Sequence, residues 1–222
     1  IVSYWEMNGD WPDLEKIAQL AGCRNQALFI ERYIRIDDQI LREEFKEFDS
    51  ISIMDEEYPE ELLWMYNPPV LLFYEGNIDL LKHPKIAVVG SRRCSRTGIH
   101  SVEKIINELN NELVVVSGLA KGIDAASHYA AIRNGGKTIG VIGTGLDVYY
   151  PRCNKQLQKH MSERYLVLTE YGPGQGPQKH HFPERNRIIA GLSRGVIVAE
   201  ARMRSGSLIT CERALEEGRD VF

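Results

Sequence analysis

The hydrophobic and polar positions of the first fifty residues follow the period of an α-helix. Over Trp11–Phe48 the apolar residues recur at the spacing of one helix face. Asn25 and Asp37 are residues that cap helix N-termini, so three short helices are predicted, the second starting after Asn25 and the third after Asp37. We therefore expect residues 1–49 to form a small helical module, incomplete where it begins at Ile1.

From Lys85 onward short apolar runs alternate with helical spacing. The first run, Ile86–Val89, is typical of a strand buried on both faces of a sheet, and Gly90 lets the backbone turn at its end. The alternation predicts right-handed crossovers and a mostly parallel sheet with helices on both faces. The predicted strands are Ile86–Val89, Leu113–Ser117, Thr138–Ile142, Leu166–Thr169, Val196–Ala199 and Asp220–Phe222. The predicted helices are Gly98–Leu109, Asp124–Arg133, Asn154–Met161, Glu184–Leu192 and Ser207–Glu217.

The predicted fold class is therefore α/β, with the sheet-forming domain over residues 85–222 and the helical module in front of it. Residues 50–84 are predicted to form a connector whose short strands, Ser50–Met54 and Val70–Tyr74, pack on the sheet or extend it. Because the chain stops inside its last predicted strand, we expect the C-terminal end of this domain to be truncated.

Charge is divided unevenly along the chain. The formal net charge is −4, but residues 1–81 carry 6 lysines and arginines against 18 acidic residues, whereas residues 82–222 carry 21 against 13. Such asymmetry indicates two modules with different partners. The basic part is suited to a polyanion, and the acidic front is either a functional surface or only a soluble module.

In a parallel sheet, the loops that follow the strands meet at one edge. Five such loops are rich in glycine, hydroxyl groups and cations, which together form phosphate sites. Any one loop could be only a turn, and it is their convergence that favours binding of a nucleotide or a nucleic-acid backbone. The predicted cationic rim consists of Arg92, Lys121, Arg152, Arg202 and Arg204.

Three residues near this edge have a structural interpretation beside the functional one. Asp124 either caps a helix or serves the site, and Asp147 either holds a loop together or acts as a base. His128, at helical spacing from Asp124, is interpreted as structural rather than as a proton carrier.

Two neighbouring pairs leave their roles open. Of Arg185 and Arg187, one is expected at the loop edge and the other against a carboxylate. Of Tyr149 and Tyr150, one is expected to pack in the core, while the other is free to stack on a base.

The sequence lacks the motifs of several common nucleotide enzymes. After the first strand, Gly90 is followed by Ser91 and Arg92 rather than by the glycines of the dinucleotide fingerprint. No G-x-x-x-x-G-K-[ST] motif occurs, which excludes a P-loop ATPase. His180 and His181 are adjacent in the sequence, and no metal site is predicted there.

The four cysteines are scattered and form no C-x-x-C pair, so neither a zinc site nor a disulfide framework is predicted. No apolar run is long enough to cross a membrane, and no signal-peptide pattern opens the chain. A cytoplasmic location with no membrane partner is therefore expected.

Five blocks occur in order and together resemble the DNA-processing protein A family, also called Smf, over Tyr58–Phe222. The blocks are VGSR (89–92), SGLAKGIDAASH (117–128), GTGLDVYYPRCN (143–154), HFPERNRIIAGLS (181–193) and RSGSLITCERALEEGRDVF (204–222).

The resemblance implies an extended Rossmann-like domain and a binding protein rather than an enzyme, with no cofactor. Members of the family bind single-stranded DNA during natural transformation, protect the incoming DNA and help to load the RecA recombinase onto it. The partners expected from the resemblance are therefore single-stranded DNA, RecA and, in the full-length protein, a second copy of the chain.

The resemblance also implies site residues. The arginine of the GSR block is Arg92, and the basic residue after the Tyr-Pro pair is Arg152, where many members have lysine. Charge is kept at that position, although arginine and lysine contact phosphate differently. The other residues of the predicted nucleic-acid site are Ser91, Gly118, Lys121, Asn154, Arg185, Ser205 and Gly206.

Two other functions stay open. One is a phosphoribohydrolase that acts on nucleoside monophosphates on a related Rossmann-like fold. Its P-G-G-x-G-T-x-x-E motif is replaced here around Met203–Ser207, and Glu212 is one residue out of register. The other is an adaptor whose acidic front is the functional surface and whose pocket is vestigial.

Overall fold

The computed structural model describes residues 9, 12–20, 23–35, 45–109, 111–201 and 206–222. The chain divides into two units, Ile1–Glu47 and Phe48–Phe222. In the first unit, helices α1 (Leu14–Leu20) and α2 (Gln26–Ile34) lie where the first two helices were predicted. The Asn25 side chain caps α2 by accepting a hydrogen bond of 3.0 Å from the Leu28 N–H. The helix predicted after Asp37 lies outside the described residues.

The described residues of the second unit form an eight-stranded sheet. Its strands are β1 (Asp49–Ser52), β2 (Leu71–Gly76), β3 (Lys85–Gly90), β4 (Val114–Ser117), β5 (Thr138–Val141), β6 (Leu166–Thr169), β7 (Gly195–Glu200) and β8 (Asp220–Val221). Their order across the sheet is β1-β2-β6-β5-β4-β3-β7-β8. Strands β3 to β8 are parallel, and β1 and β2 extend the sheet at one side by antiparallel pairing.

Helices connect the strands as the alternation predicted. They are α3 (Glu60–Leu63), α4 (Arg96–Glu108), α5 (Ile123–Arg133), α6 (Lys155–Arg164), α7 (His181–Gly191) and α8 (Gly206–Glu216), with short 3₁₀ turns at Ile78–Lys82 and Arg152–Asn154. The predicted α/β class with a mostly parallel sheet is confirmed. Among the described helices none is long and apolar enough to span a membrane.

The sheet is buried on both faces, which explains the continuous apolar runs of its strands. Successive side chains of a strand point to opposite faces. Accordingly, Ala87 and Val89 of β3 pack in one cluster with the apolar residues of α3, α7 and α8, whereas Val88 packs in a second cluster with α4 and α5. The core therefore consists of two layers, one on each side of the sheet.

The connections on either side of β3 determine where a ligand can bind. After β3 the chain crosses to α4 on one face, and after the neighbouring β7 it crosses to α8 on the other face. Adjacent loops that leave in opposite directions open a crevice at the carboxyl ends of their strands. The functional site is expected in this crevice.

Candidate nucleic-acid interface

Two adjoining cavities occupy the carboxyl edge of the parallel strands. The larger has a volume of about 520 Å³ and lies at the end of β3, between α7 and the start of α8. The smaller, of about 270 Å³, extends towards the loops that follow β4 and β5. The residues that line both cavities are Arg92, Arg93, Ala120, Tyr150, Phe182 and Arg185.

The loop after β3 is fixed by its buried serine. The Ser91 N–H donates to the Glu200 carbonyl of β7 at 2.7 Å, and the Ser91 hydroxyl accepts from the Arg93 N–H at 3.1 Å. The hydroxyl thus orients the turn, and the side chains of Arg92 and Arg93 remain exposed at the cavities. Ser91 has this positioning contact, and its predicted contact with nucleic acid stays a prediction.

The loop after β4 lies directly against the loop after β3. The Ile123 N–H donates to the Ser91 carbonyl at 3.2 Å. Gly122 has φ +78°, and a Cβ there would lie 2.9 Å from the Arg92 carbonyl carbon, so only glycine permits this approach. Lys121 precedes Gly122, is exposed and lines the smaller cavity. The structure therefore brings Arg92 and Lys121 to one place.

The Asn154 side chain stabilises the loop after β4. Its side-chain amide is buried and donates to the carbonyl oxygens of Leu119 at 2.9 Å and Ala120 at 3.0 Å. Leu119 has φ 53°, a left-handed conformation that is costly for leucine. Both amide hydrogens of Asn154 are thus used to stabilise a strained loop, and its predicted contact with nucleic acid stays a prediction.

Arg185 lines both cavities, but its side chain is almost completely buried. The side chain is buried, and Nη1 donates to the Gly118 carbonyl at 2.7 Å and to the Val141 carbonyl. It therefore ties the ends of β4 and β5 together. Burial lowers the pKa of Arg185 to about 10, while the nearby Asp124 carboxylate acts in the opposite direction.

Gly118 is required by the same packing. A Cβ at this position would lie 2.6 Å from Asp124 Oδ2 and would also collide with the Arg185 guanidinium. Burial raises the pKa of Asp124, and Arg185 and backbone hydrogen bonds from Ala120 and Gly118 offset part of that rise. Asp124 and Gly118 are thus parts of the support for the site.

Arg187 is the arginine that braces a carboxylate. Its guanidinium pairs with Glu170 at 2.5 Å and donates to the Asn67 carbonyl at 2.7 Å. Asp147 likewise has the structural role, because its carboxylate oxygens accept from the Gly174 N–H at 2.9 Å and tie two loops together.

The loop after β5 presents one tyrosine to the cavities. Tyr150 lines both of them, and its ring centroid lies 5.5 Å from that of Phe182. Tyr149 lines neither and lies under the ammonium groups of Lys155 at 4.8 Å and Lys159 at 5.7 Å. Of the two tyrosines, Tyr150 is therefore the one that faces the cavities, and Tyr149 packs against α6 at the surface.

Arg152 is exposed but lines neither cavity; its neighbour Pro151 lines the smaller one. Gly206, at the start of α8, lines the larger cavity and accepts a hydrogen bond from the Asn186 side chain at 3.2 Å. Ser205, together with Arg202 and Arg204, lies outside the described residues.

The charge of the site is positive. The only acidic residue among the described residues that line the cavities is Asp124, which is buried. No ion pair among the described residues uses an exposed cation of this edge. We call these cations the basic edge: Arg92, Arg93, Lys121, Arg152 and Lys179.

Sequence reasoning overlooked several residues of this site. Arg93 directly follows Arg92 and lines both cavities, so its position in the first loop was the available signal. Lys179, in the loop after β6, lines the larger cavity, and Phe182, in the first turn of α7, lines both; the available signal was a cation and an aromatic ring in and beside the block that begins at His181.

His128 has the structural role expected of it. Its Nδ1–H donates to Thr138 Oγ1 at 2.7 Å, because that hydroxyl already donates to the Val115 carbonyl. Burial lowers its pKa to about 3, which keeps the ring neutral. Within the described part of the chain, no group of three histidine, cysteine, aspartate or glutamate side chains is arranged to hold a metal ion.

Comparison with known proteins agrees with this architecture. DNA processing protein DprA of Streptococcus pneumoniae R6 is 68% identical over 209 residues, covering 94% of this chain and 74% of that protein. DprA of Bacillus subtilis is 47% identical over 180 residues, covering 78% of this chain and 59% of the relative. The chain thus spans only part of the length of these relatives.

Two solved structures share the fold. The X-ray structure of DNA processing protein A from Streptococcus pneumoniae has a TM-score of 0.94 and 65% identity, covering 100% of this chain and 78% of its own. DNA processing protein A from Helicobacter pylori, solved for insight into its single-stranded DNA binding mode, has a TM-score of 0.72 and 29% identity, covering 79% and 80%. The family model for DNA recombination-mediator protein A matches residues 49–222. The chain therefore belongs to the DNA recombination-mediator protein A family.

Proposed function

We propose that this chain binds single-stranded DNA at its basic edge and the two adjoining cavities. The observation that carries the proposal is the convergence of Arg92, Arg93 and Lys121 from two loops in contact, with no acidic residue exposed among those that line the cavities. Several cations close together can follow successive phosphates of a flexible strand. The Helicobacter pylori relative, whose structure concerns single-stranded DNA binding, supports the same assignment.

Preference for a single strand follows from the rings at the cavities. Tyr150 is 42% exposed and Phe182 lies beside it, so both are within reach of an unpaired base. Stacking uses the face of a base, which a duplex hides, and it tolerates any sequence. We therefore expect a preference for single strands over duplex and little preference among sequences.

We further propose that the chain is not an enzyme. A phosphoribohydrolase needs an acidic residue at the start of the helix that follows its glycine motif, which here is α8. The described residues of α8 that line the larger cavity are not acidic: Gly206, Ser207, Ile209 and Thr210. Asp124, the carboxylate at the cavity, is buried and held by backbone hydrogen bonds. Release of free base from a nucleoside monophosphate would contradict this part of the proposal.

In the full-length protein, we propose that the bound strand is protected and passed to the RecA recombinase during natural transformation, and that two copies act together. Membership of a family of recombination mediators supports this role.

We propose a cytoplasmic location, which the four free cysteines support.

The test is a titration of a labelled single-stranded oligonucleotide and of its duplex, each at low and at high salt. We expect tighter binding of the single strand and a steep loss of affinity as salt rises, because phosphate contacts release counterions. Equal affinity for the two forms, or an affinity independent of salt, would overturn the proposal.

A further inference from the structure

A second concave surface lies at the opposite edge of the sheet. It is a groove of about 650 Å³, and several of its residues precede parallel strands: Leu81 and Lys82 come before β3, Arg194 before β7 and Arg219 before β8. The amino ends of parallel strands share one edge, so this groove faces away from the basic edge. We call it the acidic groove, after Glu56, Glu57, Glu60, Glu61 and Glu217; Trp64 also lines it.

Carboxylates outnumber cations in the acidic groove: Glu56, Glu57, Glu60, Glu61 and Glu217 line it with Lys82, Arg194 and Arg219. Glu56, Glu57 and Glu60 are exposed, and no ion pair among the described residues includes them. Of the three cations, Lys82 pairs with Asp79 at 2.6 Å and is also attracted by Glu57, Arg219 donates to the Gly191 carbonyl at 3.3 Å, and Arg194 is exposed. The surface therefore offers negative charge to a cation from outside.

Trp64 adds a large exposed ring to the same groove. Its exposed fraction is 80%, and the nearby Tyr66 is 97% exposed. Exposed clusters of large apolar side chains mark interaction sites, and tryptophan and tyrosine dominate the binding energy of many interfaces. A tryptophan beside unpaired carboxylates is suited to an arginine or lysine side chain, which the ring attracts through its face.

The groove is held in shape by a buried lysine. Lys85 Nζ donates to Glu61 at 3.0 Å, to the Leu81 carbonyl at 2.6 Å and to the His83 carbonyl at 2.9 Å. Leu62 of α3 is fully buried in the core. The segment that carries Glu60 and Trp64 is therefore anchored, and a partner that binds there meets a preformed surface.

We propose that the acidic groove binds a segment of a partner protein that is rich in arginine or lysine, with one cationic side chain over Trp64 and others beside Glu56, Glu57 and Glu60. Charge selects this occupant, because the carboxylates repel nucleic acid. Strand β3 separates the two edges by about 20 Å, so a protein partner and a DNA strand can bind at the same time. The proposal does not depend on the proposed function of the basic edge.

The test uses a fluorescent peptide of alternating arginine and leucine residues, followed by fluorescence anisotropy at physiological salt. We expect Trp64→Ala to weaken binding by about tenfold, and the triple variant Glu56→Gln, Glu57→Gln, Glu60→Gln to weaken it at least as much. The matched control neutralises the same number of exposed carboxylates outside the groove: Glu108→Gln, Glu112→Gln and Glu163→Gln. This control and Arg92→Ala are expected to bind the peptide like the wild type.

Two results would overturn the proposal. Equal weakening by the groove triple and the control triple would mean that the peptide responds only to overall charge. Self-association of the chain that is lost in Trp64→Ala would mean that the occupant of the groove is a second copy. Loss of peptide binding in Trp64→Ala with unchanged binding of single-stranded DNA would support the proposal and separate it from the function of the basic edge.

Discussion

The guanidinium carbon of Arg92 lies 5.3 Å from the centroid of the Phe182 ring, and the Phe182 ring in turn lies beside Tyr150. Arg92 and Tyr150 come from the loops after β3 and β5, and Phe182 lies in the first turn of α7. A guanidinium held over a ring face is already positioned, and its N–H groups remain available for a phosphate. The contact therefore places a cation and two rings at one point of the basic edge.

Arg92 and Arg152 are expected to contribute unequally to DNA binding. Arg92 lines both cavities, whereas Arg152 is exposed outside them, on the outer rim, where solvent screens its charge. We expect Arg92→Ala to weaken binding of a single-stranded oligonucleotide by about 10- to 100-fold, and Arg152→Ala by no more than about fivefold. Anisotropy titrations at a single low salt concentration measure both.

The control for this pair is Arg164→Ala, because Arg164 is an exposed arginine at the far end of α6. It is expected to bind DNA like the wild type. A larger loss for Arg152→Ala than for Arg92→Ala would show that the strand follows the outer rim instead of entering the cavities.

The two neighbouring tyrosines are expected to differ. Tyr150→Ala removes a ring that lines both cavities, and loss of one stacked base costs about 1–3 kcal/mol. Tyr149→Ala removes a ring that lies against Lys155 and Lys159, so we expect little change in affinity. Equal effects of the two substitutions in the same titration would exclude stacking on Tyr150.

Arg185 is expected to act through position and not through phosphate contact. Arg185→Ala leaves the carbonyls of Gly118 and Val141 without their donor, at a cost of about 1–3 kcal/mol for each buried group. Thermal denaturation is expected to show a lower Tm, and DNA affinity is expected to fall as the loop loses its support.

The salt dependence of affinity separates a residue that contacts phosphate from one that only positions the loop. A residue that contacts phosphate contributes about 0.7 to the slope of log affinity against log salt for a single strand. We expect that slope to decrease in Arg92→Ala and to stay at the wild-type value in Arg185→Gln, which removes the charge but keeps a donor for the carbonyls. A reduced slope in Arg185→Gln would assign the guanidinium to the DNA.

Most of the fold could be predicted from the sequence because its signals are local. The strand Ile86–Val89 is continuously apolar as a result of burial on both faces, and helix α2 begins where Asn25 can cap it. The predicted start of α7 was less accurate: the helix begins at His181 instead of Glu184, since Phe182 lines the cavities and Pro183 is read from sequence as a helix boundary.

The site was harder to predict because residue type alone does not show whether a polar side chain is buried or exposed. Asn154 and Arg185 are polar residues in motif blocks, but both donate to backbone carbonyls inside the protein. Which of Tyr149 and Tyr150 faces the cavities depends on the contact of Tyr149 with the following helix α6 and on that of Tyr150 with Phe182, which is distant in sequence. Pairing between distant elements decided these assignments, and single-sequence patterns do not contain it.

Stability is expected to fall in mild acid because of His128. Burial lowers its pKa from the ordinary 6.5 to about 3, so between these values the unfolded chain binds a proton that the folded chain does not. Its contribution to the free energy of unfolding is therefore intact above pH 6.5 and declines below it, by up to about 1.4 kcal/mol per pH unit.

This is measured by urea denaturation of the wild type and His128→Asn at neutral pH and near pH 5. Asparagine keeps a donor for Thr138 but does not titrate, so the wild type is expected to lose more stability than the variant on acidification. The same loss in both proteins would show that the imidazole is not the group responsible.

The most direct measurement is DNA retention by the double variant Arg92→Glu, Arg152→Glu, compared with the wild type and with Arg164→Glu. Both substituted residues are exposed, so the variant is expected to keep the wild-type circular dichroism spectrum and Tm. We expect it to retain no single-stranded oligonucleotide at low salt, where the wild type and Arg164→Glu retain it fully. Retention by the folded double variant equal to that of the wild type would contradict the assignment of the basic edge to DNA.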